Sequence, residues 1–432
     1  MITRSFERNE LYTPLKDETN SITVVNNIFS ILILLLPFFY QYKGIGNIIS
    51  FGELLLLPFI VFYAFYSLLK RKKLVIDYYL FVFYFISIFT SVLNAGEPYF
   101  SFSSFFTVFA RLVYYSALIL FARSYFSLKN IFKFYKAIVF VFSLYLIVQF
   151  LYTKLTGGYL PIYVNYSLLF PPEARNADLS LFYRWSFRPS SLFLEPSYFV
   201  FFIFPCFCLV TFMKKKAFDY AFLGVIVVSV LLSSSAAGVI LLSITIISKL
   251  VFNSRNRMDL SIVAVAFVLL LVIAYFSGYF DFLPGLSRIK GGGSINQRII
   301  RGILIYRDFD FYHKLFGVGL NNLEPYMRYF SLVTSFDESN LNYCASLIQT
   351  LNYSGIVGFV GLIALIVSYF AKCVKYNKNS VPREKIGFLF AFLFCICFVL
   401  SYESVLFMYR FSYILIIFES VLFKTHPFKI GE

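Results

Sequence analysis

Long apolar runs recur along almost the whole chain, each closed by a cluster of lysines and arginines or by a short polar turn. A run of about 20 apolar residues is what a helix needs to cross a hydrocarbon core roughly 30 Å thick. Composition enters here as a check: 59% of the 432 residues are hydrophobic and only 14% are charged, against about a quarter charged in soluble domains. An ordinary soluble domain is excluded. So is a disordered chain, which requires low hydrophobicity.

The fold class expected is therefore an all-α polytopic membrane protein. Window hydropathy places twelve spans at about 24–42, 47–69, 74–93, 103–122, 137–153, 191–213, 217–233, 237–252, 260–276, 354–371, 386–402 and 404–421. These make one transmembrane domain over 24–421, with tails at 1–23 and 422–432. Residues 1–22 are polar and mixed in charge, unlike a cleaved signal peptide. No internal repeat stands out, which argues against a transporter of inverted-repeat design.

The net charge of +16 could indicate nucleic acid or an anionic membrane. Placement decides. With the N-terminus inside, alternate connections carry Lys70 to Lys73, Arg123 to Lys136, Lys214 to Lys216, Lys249 to Arg257, Lys372 to Lys385, and a tail with Lys424 and Lys429; with Arg4, Arg8 and Lys16 they hold 24 of the 38 basic residues. That is the positive-inside pattern, with both tails cytoplasmic, so topology accounts for the charge without nucleic acid as a partner. Of the 6 cysteines, Cys206 and Cys208 share one apolar run and Cys395 and Cys397 another; none forms a Cys-x-x-Cys pair, so they read as small buried hydrophobes rather than metal ligands.

The remaining cations concentrate in two outward loops. The first, about 154–190, holds Lys154, Arg175, Arg184 and Arg188; the second, about 277–353, holds Arg288, Lys290, Arg298, Arg301, Arg307, Lys314 and Arg328. Basic residues resist translocation next to a span, so keeping them outside argues for an anionic ligand there. The plainer reading is that neighbouring acids such as Glu173, Asp308 and Glu324 neutralise them.

The first loop runs into the sixth span through Arg188-Pro-Ser-Ser-Leu-Phe-Leu-Glu195-Pro196. Proline is favoured in a first helical turn, which puts Glu195 at the helix mouth. There it either complements the helix dipole or serves as a carboxylate able to take a proton from an attacking hydroxyl. In the second loop Ile299, Ile300, Ile303 and Leu304 have helical spacing, with Arg298, Arg301 and Arg307 along or beside that face. Guanidinium forks suit phosphate, though a snorkelling basic face on an interfacial helix needs no ligand. Asp308-Phe-Asp310 looks like a metal-holding DxD, but on a helix the two carboxylates diverge. Charges inside the spans, namely Glu53, Arg111, Glu403, Arg410 and Glu419, are expected to face the bundle in structural pairs, Glu403 and Arg410 on one face of the twelfth helix.

Taken together, a first outward loop ending in RPSSLFLEPSYF, a second with SINQRIIRGILIYRDFDFYHKLFGVGLNN, and the later SLIQTLNYSGIVGFVGL resemble the Wzy family of O-antigen and capsular-polysaccharide polymerases, within the O-antigen polymerase and ligase superfamily. The resemblance implies a GT-C-like glycosyltransferase of the bacterial inner membrane, free of metal and cofactor, with its active site facing the periplasm. It implies transfer of a growing glycan from undecaprenyl diphosphate to the non-reducing end of another lipid-linked repeat unit, with a chain-length regulator and a flippase as further partners. Family arginines that engage the diphosphates match Arg188, Arg298 and Arg301, with Arg307 beside them, and the catalytic set implied is Arg188, Glu195 and Arg298. Ligases carry a His-Asn pair about 11 residues before the glycine of the tenth span; counting back from Gly355 lands on Cys344-Ala345, and neither His313 nor His426 matches. Polymerase is therefore expected over the alternatives, a ligase or a non-enzymatic lipid-glycan transporter.

Overall fold

The structure, a computed structural model, describes residues 20–45, 49–72, 74–170, 188–213, 216–253, 296–331, 344–377 and 382–423. Helices α1 (Asn20–Phe39), α2 (Phe51–Leu69), α3 (Tyr78–Leu93), α4 (Phe102–Tyr125) and α5 (Leu128–Thr156) come first. They are followed by α6 (Pro196–Phe212), α7 (Ala217–Leu232) and α8 (Ala236–Asn253). A π turn at Asn296–Ile300 leads into three short helices, α9 (Arg301–Arg307), α10 (Phe311–Phe316) and α11 (Leu323–Tyr329). Last come α12 (Ser346–Asn377), α13 (Arg383–Tyr402) and α14 (Tyr409–Phe423).

Local sequence sets several of these boundaries. Ser50 caps α2 in a reciprocal box with Glu53, Asp77 caps α3, Ser101 caps α4, and Gly157 ends α5 in the left-handed conformation. Among the described residues, six helices are long and apolar enough to cross a membrane: α1, α2, α4, α5, α12 and α13. Tyr78–Leu93, Pro196–Phe212, Ala217–Leu232 and Ala236–Phe252 are shorter apolar helices. Large apolar side chains such as Phe65, Leu68, Phe85, Val148 and Val360 point outward on these helices, as a surface solvated by lipid permits. The fold is that of an α-helical membrane protein. The expected span at 260–276 lies outside the described residues.

Two helices form the centre. Every residue of α6 from Tyr198 to Phe212 and of α14 from Tyr409 to Leu422 is buried. Helices apolar all round belong in a core, and α1, α4 and α13 pack on α14 while α5, α7, α8 and α13 pack on α6. Pro205 interrupts α6, and one turn earlier the Phe202 carbonyl accepts hydrogen bonds from the Tyr135 and Tyr413 hydroxyls, both at 2.9 Å.

Helix ends sort onto two faces. On one, Arg123 near the end of α4 pairs with Asp77 at the start of α3 and with Glu419 of α14, while Lys372 of α12 reaches Asp77 at 2.8 Å. Tyr369 adds a 2.6 Å hydrogen bond to Glu419. On the other face the turns after α1 and α3, the segments before α6 and α12, and α9 to α11 meet. There Phe170 N–H donates to the Gln41 carbonyl, and Ser101 N–H to Asn322 Oδ1 at 2.7 Å.

One expectation needs correction at this level. The last helix begins at Tyr409, not near residue 404, so Glu403 and Arg410 do not share a helical face. Glu403 takes an extended conformation that ends α13. Residues 403–406 leave the helix because Ser346 engages their backbone: its N–H and Oγ donate to the Glu403 carbonyl at 3.0 and 2.7 Å, and its Oγ accepts from Val405 and Leu406 N–H.

Candidate functional site

The turn between α13 and α14 lies between the second predicted loop, on one side, and the helix that follows the first, on the other. Around its first half sits the π turn carrying Arg298. Ala345 N–H donates to the Arg298 carbonyl at 2.8 Å, and the adjacent Ser346 holds Glu403, so neighbouring residues at the start of α12 fix both backbones. The Arg298 guanidinium forms an ion pair with Glu403, donates from Nη1 to the Tyr402 carbonyl at 3.3 Å, and lies over the Tyr402 ring at 4.8 Å. Its side chain is 16% exposed and that of Glu403 only 3%.

Arg301 follows on α9, which packs against α12 through Gly302 and Ile305. A Cβ on Gly302 would stand 3.0 Å from Cys344 Sγ, so the approach needs glycine. Arg301 Nη2 is buried without a hydrogen-bond partner, a rare state for a charged donor and one an anion would relieve. Beside it the Cys344 thiol is pushed up to about 11 by burial, against the pull of the Arg301 charge, so it stays protonated and is no nucleophile near neutrality. Ile300, Ile303 and Leu304 form an exposed apolar side of α9, whereas Gly302 and Ile305 pack inward.

Just after the turn, α14 meets the helix that follows the first loop. Arg410, 8% exposed at the start of α14, lies over the Tyr198 ring at 3.8 Å. Tyr198 stands in the first turn of α6, just after Glu195, which is the N-cap residue with Pro196 at the first helical position, as expected. The Glu195 carboxylate does not cap the helix; it accepts from Ser197 Oγ at 3.1 Å. The approach to Glu195 is rigid. Gln149 holds Ser191 through the N–H and carbonyl at 2.8 and 3.0 Å, and Gln41 donates to the Leu192 carbonyl at 2.7 Å. Arg188, partly buried, opens this segment.

Other expected residues fall elsewhere. Arg307 is 70% exposed and bonds Asp308 at 3.0 Å, apart from the Arg298 and Arg301 cluster. Asp310 turns away from Asp308 to cap α10, accepting from His313 N–H at 2.8 Å and lying 2.7 Å from His313 Nδ1. Burial works to raise the Asp310 carboxyl, but the His313 hydrogen bonds and the nearby His313 and Lys314 hold it below the ordinary value. His313 Nε2 meets the buried Tyr99 hydroxyl at 2.9 Å, tying α10 to the turn after α3. Arg175, Arg184, Arg288 and Lys290 lie outside the described residues.

Tyr402, Ser346 and Tyr198 carry no charge or motif signal of their own in the sequence. Two of them stood inside stretches already singled out, SLIQTLNYSG and EPSYF. Glu403 was noticed as a charge at membrane depth but given the wrong neighbour. No model of a known protein family matches the chain, and no curated protein matches it.

Proposed function

We propose that this protein is a polysaccharide polymerase of the bacterial inner membrane, transferring a growing glycan from undecaprenyl diphosphate to a second lipid-linked repeat unit at the periplasmic face. The observation that carries the reading is that Arg298 pairs with Glu403 at the end of α13 while Arg410, at the start of α14, lies over Tyr198, three residues after Glu195, so the six-residue turn from Glu403 to Met408 links the two segments. A diphosphate leaving group develops charge as the glycosidic bond breaks, and fixed guanidinium donors stabilise it. Arg298, held at backbone and side chain, and Arg301, with an unsatisfied donor, are suited to that role. Glu195, whose carboxylate accepts from the neighbouring Ser197 hydroxyl, is suited to accept the acceptor hydroxyl's proton.

Reconstitution tests the proposal. Purified protein in liposomes, given only lipid-linked repeat units, is expected to build a ladder of polymers, and to do so in a chelator. Deletion of the protein in its host should leave surface glycan carrying single repeat units. A core with no repeat unit attached, and polymer stranded on undecaprenyl diphosphate, would instead identify a ligase.

A further inference from the structure

We propose that Glu403, with Tyr402 and Ser346, is a positioning device for Arg298; this rests on the polymerase reading above. Taking a carboxylate and a guanidinium out of water costs several kcal/mol per ion, and a buried pair often adds little net stability over a well-packed apolar pair. Here the pair is 16% and 3% exposed. Geometry is what it supplies.

Three constraints act on the Arg298 side chain from one short segment. The Glu403 carboxylate and the Tyr402 carbonyl both engage Nη1, and the Tyr402 ring lies against the guanidinium at 4.8 Å. An anchored corner and a stacked face together define the plane of the fork. The backbone that carries the carboxylate is in turn fixed, because Glu403 N–H donates to the Val399 carbonyl at 2.8 Å while the Glu403 carbonyl takes two bonds from Ser346. Ala345 then fixes the Arg298 backbone from the adjacent residue. Arginine and carboxylate are thus referenced to one point, the first turn of α12, although they lie 105 residues apart in sequence.

A long side chain on a loop would otherwise sample many rotamers, and bidentate phosphate binding tolerates little misplacement. Displacement of a catalytic group by about 1 Å can lower a rate by roughly 100-fold. Glu403 therefore acts on the reaction through Arg298 without touching substrate.

The test uses full-length protein in liposomes with lipid-linked repeat units, scored per folded molecule. Glu403→Gln is expected to lower kcat by about 10- to 100-fold with KM within about threefold, and Ser346→Ala, which keeps the ion pair but loosens its anchor, to lower kcat by a smaller factor. A second arm asks whether the effect runs through Arg298. In an Arg298→Lys background, where the fork is already gone, Glu403→Gln should change kcat by less than about twofold. Unchanged kcat in both single variants overturns the proposal, as does a Glu403→Gln loss that is equally large in the Arg298→Lys background. Should Glu403→Gln fail to fold, Ser346→Ala and Glu403→Asp decide by the same criteria. Wild-type protein that makes no polymer defeats the function and this assignment together, whereas an active wild type with indifferent variants defeats this assignment alone.

Discussion

Arg301 carries a sharper expectation than any other single residue, because a buried guanidinium nitrogen without a hydrogen-bond partner has something to gain from an anion. Arg298→Ala and Arg301→Ala should each lower chain extension by about 100-fold or more at normal membrane levels, the size seen when one fixed donor to a developing charge is removed. Lysine keeps the charge but not the fork, so Arg→Lys variants should fall between. Full activity in alanine variants of Arg188, Arg298 and Arg301 alike would discard the diphosphate assignment. Glu195 is tested by Glu195→Gln, which keeps shape and removes basicity. A drop in kcat with protein stability unchanged in a thermal scan is expected; a wild-type rate would leave Glu195 as a helix-start residue only.

At the scale of elements, the second outer segment is bolted to α12 by an interlock of glycines. Gly355 breaks the α12 helix at φ 63°, and the carbonyls of Asn352 and Tyr353 instead accept from Val318 and Gly319 N–H at 3.0 and 2.9 Å. Irregular backbone at membrane depth is tolerated where protein supplies the lost hydrogen bonds. Gly317, also at positive φ, faces the Tyr353 and Ser354 backbone with no room for a Cβ. The adjoining helix α10 is held by Asp310, whose lowered carboxyl contributes stability above the ordinary aspartate value of about 3.9 and loses it as pH falls through the lower folded-state value. Amide hydrogen exchange across 311–316, corrected for intrinsic rates, should therefore accelerate in wild type between pH 5 and pH 2. Asp310→Asn keeps a capping oxygen without a titrating group and should lose that dependence. An identical acid response in both would remove Asp310 from the account.

For the whole molecule, the sorting of helix ends onto two faces makes orientation a single question. Arg123, Asp77, Lys372 and Glu419 mark one face, and the Arg298 to Glu403 cluster the other. The positive-inside pattern assigns the first to the cytoplasm. Phosphatase fusions after residues 170 and 310 are expected to be active and fusions after 72 and 215 silent; the reverse would overturn the proposed orientation and, with it, the proposal of a periplasmic site. The network on the first face is structural by the same geometry. Arg123 and Glu419 are 4% and 2% exposed, so Glu419→Gln should cost about 3–5 kcal/mol, measurable as a lower unfolding temperature in detergent.

What the residue order alone determined is the part governed by one-dimensional physics. Apolar runs of membrane length dictate helices, lysine and arginine clusters dictate which connections share a side, and Pro196 places Glu195 at a helix start. Those requirements act through a residue's own neighbours and its solvent, so a linear reading recovers them. Contacts between distant segments left no such trace. Glu403 and Arg410 lie seven positions apart, the spacing of one helical face; bonds from Ser346, 57 residues upstream of Glu403, hold the intervening chain out of the helix. Nor does the apolar spacing of Ile300, Ile303 and Leu304 reveal that the other, glycine-bearing side of α9 packs on protein, where its backbone approaches Cys344 and Ile348 on the α12 side. Tertiary structure decided the partner of each buried charge, since the energy of a buried ion depends on which group stands within a few ångströms of it, and sequence distance carries no information about that.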